Sequence, residues 1–369
     1  MNVNRDGLTR RALLVGAAAT AAGLGVLGTT RALASAKPLR AYAADKGILF
    51  GSSISGHALK DPSFAELFKS QCAITVPESS LKWDTLCPTP DRYDFSGGDW
   101  LYGLCKSNDI LMRGHTLVWE QALPTWFGYI VNSENANKMM VDHISKVVRH
   151  YAGKVHSWDV VNEAFQIEDG RPDGLKITPW LRLIGPEYIE TAFHAAHEAD
   201  PGATLVYNEN WLEPDDAGTE KKRNAVLTLL TRLKKSNVPV HALGIQSHVY
   251  AEMNITGPGF NRFLQQIADL GLSFMITEMD VRERNAPADI GIRDRMIASQ
   301  YYKYLSFMLQ FPALKTVITW GLSDRYTWLA THNPRPDGMP VRPLPYDAEL
   351  KPAPSWDALR NAFLEAPWR

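Results

Sequence analysis

The sequence predicts an α/β protein, a closed (β/α)8 barrel built as a single domain over residues 37–369. Three observations predict it. Eight short β-rich runs alternate with eight helical patterns, and repeated strand–helix units imply a parallel sheet. Eight such units in roughly 330 residues match the usual size of a closed barrel. No linker, repeat or low-complexity tract marks a second domain. A doubly wound open sheet is the alternative, but no G-x-G-x-x-G follows the first β-rich run.

The units follow in order. I-L-F-G-S-S-I-S at 48–55 precedes a helix over 62–70, which Pro62 opens because a first-turn residue needs no N–H partner. A-I-T-V-P-E at 73–78 precedes a helix over 98–108, and L-M-R-G-H-T-L-V at 111–118 precedes one over 134–152. H-S-W-D-V-V-N at 156–162 is followed by a helix over 186–199 opened by Pro186. T-L-V-Y-N-E at 204–209 leads to 217–236, and A-L-G-I-Q-S-H at 242–248 leads to 258–270, again with proline at the start. S-F-M-I-T-E-M-D at 273–280 leads to 291–311, and T-V-I-T-W-G-L at 316–322 leads to a last helix over 355–364.

Barrel chemistry collects at the C-terminal ends of the strands. Those ends read Glu78, His115 to Trp119, Asn162-Glu163, Asn208 to Asn210, Gln246 to His248, Glu278 to Asp280 and Trp320 to Asp324. A lone Glu163 would read as a solvated residue of the following turn. Glu278, ending another apolar strand three strands further round, gives it a partner. Two such carboxylates about 5 Å apart form the pair of a retaining glycosidase, one donating a proton to the leaving oxygen and one attacking the anomeric carbon. His248 is placed to orient Glu278, and Asp280 to hold His248. Neither G-x-S-x-G nor H-E-x-x-H is present, so serine-ester and zinc-protease chemistry lack their motifs.

Composition narrows the partners. A net charge of −1 suggests neither nucleic acid nor an anionic membrane. Eleven Trp and thirteen Tyr fit a site that stacks sugar rings as well as a packed core. The three Cys (Cys72, Cys87, Cys105) have no metal-type spacing and read as buried, inert thiols. No cofactor is expected. At the N-terminus, Arg10-Arg11 precedes a mildly apolar run to Leu27 and small-residue cleavage sites near Ala36. Residues 1–36 therefore read as a twin-arginine-type signal peptide, with the mature chain periplasmic or secreted and free of the membrane.

The motifs R-G-H-T-L-V-W at 113–119, W-D-V-V-N-E-A at 158–164, G-I-Q-S-H at 244–248, I-T-E-M-D-V at 276–281 and W-G-L-S-D at 320–324, with Trp328 beyond, come in that order at strand ends. In them the chain resembles the family 10 glycoside hydrolases, the endo-β-1,4-xylanases, over nearly all of residues 45–365. The resemblance implies Glu163 as acid/base and Glu278 as nucleophile. His115, Trp119, Asn162, His248, Trp320 and Trp328 would surround the sugar beside the cut, and Glu78 and Lys82 would hold the next one outward. Xylan or xylo-oligosaccharides are the implied partner of a monomer. A β-glucan or mixed-substrate hydrolase is the neighbouring reading, and a non-catalytic sugar-binding barrel the reading from another class. Against the family pattern, Ser79 stands for Asn, Glu120 for His and Ala122 for Gln. An ionised Glu120 either faces the catalytic carboxylates as a third negative charge or turns outward to a basic partner.

Overall fold

A computed structural model describes residues 37–369. Nine strands run in chain order: β1 (Leu49–Ile54), β2 (Ile74–Pro77), β3 (Leu111–Gly114), β4 (Ser157–Asn162), β5 (Thr204–Glu209), β6 (Ala242–Ile245), β7 (His248–Tyr250), β8 (Ser273–Arg282) and β9 (Leu314–Thr319). All pairings between them are parallel, and β1 pairs with β9 while β6 pairs with β8. Eight strands thus close a barrel in sequence order, with helices such as Ala136–His150, Ala217–Lys235 and Ile290–Met308 between them. Because both faces are covered, the strands are buried almost throughout; β4 is buried at every position.

The eight-unit reading of the sequence holds, but the run at 242–248, the sixth, is not one strand. It breaks after Ile245, and pairing resumes at His248 opposite Asp280. Between the two pieces Ser247 has φ 65°, a left-handed backbone that turns the chain off the ladder. The buried Ser247 hydroxyl lies 2.8 Å from the Tyr304 hydroxyl, which donates to Glu213 at 3.2 Å. This packing holds the break in place.

Helix starts follow local chemistry. Asp61, Thr178, Asp216 and Asp289 each accept a backbone N–H in the first turn, which satisfies donors that have no partner inside the helix. The helix expected from Pro186 begins at Tyr188, and a short helix Pro179–Leu183 precedes it. A helix Leu39–Ala44 was not expected; its first N–H donates to Gln71, and Tyr42 meets the Trp356 ring edge-on near the C-terminal helix. The three cysteines are buried and free, and burial pushes each thiol above its usual range, as an inert core thiol requires.

Just past the end of β8, Glu283 is buried between two arginines. Arg293 donates to it at 2.7 and 3.0 Å, and Arg335 at 2.5 Å. Glu283→Ala would leave the Arg293 guanidinium, 1% exposed, without its counter-charge. The expected loss is about 3–5 kcal/mol of stability, the scale for breaking one side of a buried pair. Urea denaturation measures it; a loss under about 1 kcal/mol would mean that water reaches Arg293.

Candidate active site

Glu163 follows the last residue of β4 with φ 56°, so the chain turns sharply out of the strand there. Its N–H donates to the Asn208 carbonyl at 3.0 Å, which ties the turn to β5. The carboxylate receives two neutral N–H groups: Trp119 Nε1 at 3.0 Å and Gln246 Nε2 at 2.7 Å. Glu278, 5% exposed in β8, receives Asn208 Nδ2 at 2.8 Å and lies 3.3 Å from His248 Nε2. Asn162 bridges the two sides: its Oδ1 accepts from Asn208 at 2.8 Å and from Gln246 at 3.4 Å. Both carboxylates therefore belong to one chain of side-chain contacts across β4, β5, β6 and β8.

Their electrostatic surroundings differ. Burial alone would raise the pKa of Glu278, but the His248 hydrogen bond, the charges of His115 and His248 and the Asn208 amide outweigh it and hold the group at about 2. Burial opposes charge on His248 as well, yet Asp280 and Glu278 push its pKa up to about 9. His248 Nδ1 lies 2.9 Å from Asp280 Oδ2, so each ring nitrogen of the imidazolium has a carboxylate beside it. Asp280 is itself fixed by Trp328 Nε1 at 2.8 Å. Behind His115, at 3.0 Å from Nδ1, sits Asp159, paired at 2.5 Å with the wholly buried Arg113.

The carboxylates open into a cleft of ≈ 690 Å³ whose walls include Trp119, Trp320 and Trp328. Lys82 Nζ lies 4.9 Å from the Trp119 ring centre. Burial raises the pKa of Glu78 despite the Ser53 hydroxyl and the Lys82 charge, which both lower it. A second cavity of ≈ 650 Å³ lies between Phe165–Leu175 and the helix Ala217–Lys235; its one acid, Asp173, is taken up by Arg171. Only the first combines apolar walls with converging acids, the pattern of a site that binds and reacts.

The profile of glycosyl hydrolase family 10 matches residues 38–362. This chain belongs to glycosyl hydrolase family 10. The family 10 chain is 33% identical to endo-1,4-beta-xylanase B of Thermotoga neapolitana over 335 residues, 89% of this chain and 92% of that one. Native xylanase 10B from Thermotoga maritima superposes with a TM-score of 0.82 at 33% identity, covering 89% of this chain and 98% of the other. Xylanase 10B from Thermotoga petrophila, solved in complex with xylobiose, superposes with a TM-score of 0.81 at 32% identity, covering 89% and 97%.

In this family 10 chain, Glu78, Lys82, His115, Trp119, Asn162, Glu163, His248, Glu278, Trp320 and Trp328 all line the cleft. Asp280 sits buried behind His248. Glu120 is the exception: it turns away from the carboxylates and pairs with Lys176, so it is not a third charge beside them. The reason is local, since the 3-10 turn Glu120–Ala122 directs it toward the segment after β4, where the Lys176 N–H donates to the Ala164 carbonyl. Ala122 is buried beneath the same turn, whereas Gln121 and Ser79 reach the cleft. Sequence reasoning named the strand ends at Asn208 and Gln246 without making them site residues; their polar identity at a buried strand end was the available signal. Trp211, Arg282 and His332 also line the cleft and carried no motif.

Proposed function

We propose that this family 10 hydrolase cleaves internal β-1,4-xylosidic bonds of xylan with retention of anomeric configuration, Glu163 acting as acid/base and Glu278 as nucleophile. The observation that carries the assignment is the asymmetry of the pair. Glu278 faces a cationic imidazole that keeps it ionised, as a nucleophile must be. Glu163 faces only neutral donors. In the first step a Glu278 oxygen bonds to the anomeric carbon while Glu163 passes its proton to the departing glycosidic oxygen, leaving a glycosyl-enzyme ester. In the second, Glu163 takes a proton from water, the hydroxide displaces Glu278, and the configuration is restored. The xylanase names of its relatives support xylan over a glucan chain.

Reducing-sugar release from xylan and from carboxymethylcellulose, with the anomer followed by proton NMR, tests this reading. Release from xylan, with the β-anomer appearing first, is expected. Greater release from carboxymethylcellulose would make the chain a glucanase, no release from either a sugar-binding barrel, and an initial α-anomer an inverting enzyme. The single catalytic domain over 37–369 and its export rest on the sequence alone, because residues 1–36 lie outside the described residues. Retention of a residue 1–36 fusion in cells lacking twin-arginine transport tests the export route.

The Glu120–Lys176 pair makes a separate prediction. Glu120→Gln is expected to leave the pH dependence of kcat/KM superimposed on that of the parent, because the charge removed is already neutralised away from the cleft. A displaced alkaline limb would return Glu120 to the catalytic pair.

A further inference from the structure

Arg282 ends β8 two residues beyond Asp280 and lines the cleft. Its side chain is 18% exposed, with the guanidinium carbon 5.4 Å from the Trp328 ring centre and 5.7 Å from that of Tyr250. Trp211, 41% exposed, meets Tyr250 edge-on at 6.1 Å and extends this aromatic wall. The guanidinium itself has no hydrogen-bond acceptor among the described residues. Its Nε is buried and unpartnered, and its ion contact is Asp280 Oδ1 at 3.9 Å, beyond hydrogen-bond reach.

The neighbouring acids explain why. Asp280 Oδ2 is occupied by Trp328 and His248, which holds the carboxylate so that its own unpartnered Oδ1 stops 3.9 Å short of Arg282 Nε. Glu283, the next residue, is committed to Arg293 and Arg335. A cleft-lining arginine is thus oriented by aromatic rings on two sides while no carboxylate among the described residues comes within hydrogen-bond reach of its guanidinium. Arginine in that state matches a planar carboxylate, which it can bind through two parallel N–H groups.

We propose that Arg282 binds the carboxylate of a uronic acid side group carried on the xylan chain. The inference rests on the xylan reading above, and it concerns the decoration, since the xylose backbone is neutral. It makes this cleft selective for acidic xylan over a chain of the same shape without charge.

The test compares kcat/KM on a uronic-acid-bearing xylo-oligosaccharide and on the same oligosaccharide with its carboxyl reduced to an alcohol. The parent enzyme is expected to prefer the acid by about tenfold, and the preference is expected to shrink with added sodium chloride. In Arg282→Gln the ratio is expected to fall close to one, and Arg282→Lys is expected to keep part of it as a point charge. A parent ratio at or below one overturns the proposal whether or not the variants fold. An undiminished ratio in folded Arg282→Gln also overturns it, by placing the carboxylate elsewhere. No cleavage of either oligosaccharide would overturn the xylan reading, and this inference with it.

Discussion

Glu278→Ala is expected to lower kcat on xylan by at least about 10⁴-fold, the scale on which removing a nucleophile acts. The loss should extend to substrates with good leaving groups, because no other group can form the covalent intermediate. The vacated site keeps Asn208 Nδ2 and His248, both of which faced the lost carboxylate. A pocket with an amide donor and an imidazolium suits a small anion. Added azide or formate should therefore restore part of the turnover on an activated aryl glycoside. It attacks from the Glu278 face, so the glycosyl azide formed should be the α-anomer, which NMR identifies. Turnover within tenfold of the parent would remove Glu278 from the chemistry. Azide giving the β-anomer would exchange the two roles.

The catalytic strands and their acids were legible because a barrel makes sequence position and spatial position nearly equivalent. An apolar run ending in Glu163 or Glu278 places that acid on one rim, whatever the loops do. The His248–Asp280 contact was legible for the same reason, since both residues end runs of the sequence that become neighbours around the barrel. The break at Ser247 was not, because Q-S-H continues an apolar run and serine does not announce a left-handed φ. Short helices in the loops, such as Trp83–Leu86 and Leu329–His332, are one turn long and leave no period to detect. Glu120 had two readings, and its partner decided between them; Lys176 lies 56 residues away. Arg282 was illegible for the opposite reason. Its importance lies in the rings beside it and in acids that stop short of hydrogen-bond reach, and only assembled side chains settle that.

Glu163→Ala is expected to split substrates by leaving group. General acid catalysis contributes roughly 10²–10⁴-fold, so hydrolysis of xylan, whose leaving sugar hydroxyl needs a proton, should fall by about that factor. A dinitrophenyl β-xylobioside leaves as a stable phenolate and needs none, so its first bond-breaking step should stay within about tenfold of the parent. The second step still lacks its base. The glycosyl-enzyme on Glu278 should then accumulate, giving a burst of phenolate followed by slow turnover. Azide, which needs no deprotonation, should speed that phase and yield the β-azide, the opposite anomer to the Glu278→Ala product. The pH dependence has a definite sign. Glu278, held at about 2, stays ionised through the working range, so its protonation limits activity only toward strong acid. The alkaline limb of kcat/KM on xylan belongs to the general acid, so Glu163→Ala should abolish it in the residual xylan activity. Equal losses on xylan and on the dinitrophenyl glycoside, with the alkaline limb intact, would assign the proton transfer to another residue of the cleft.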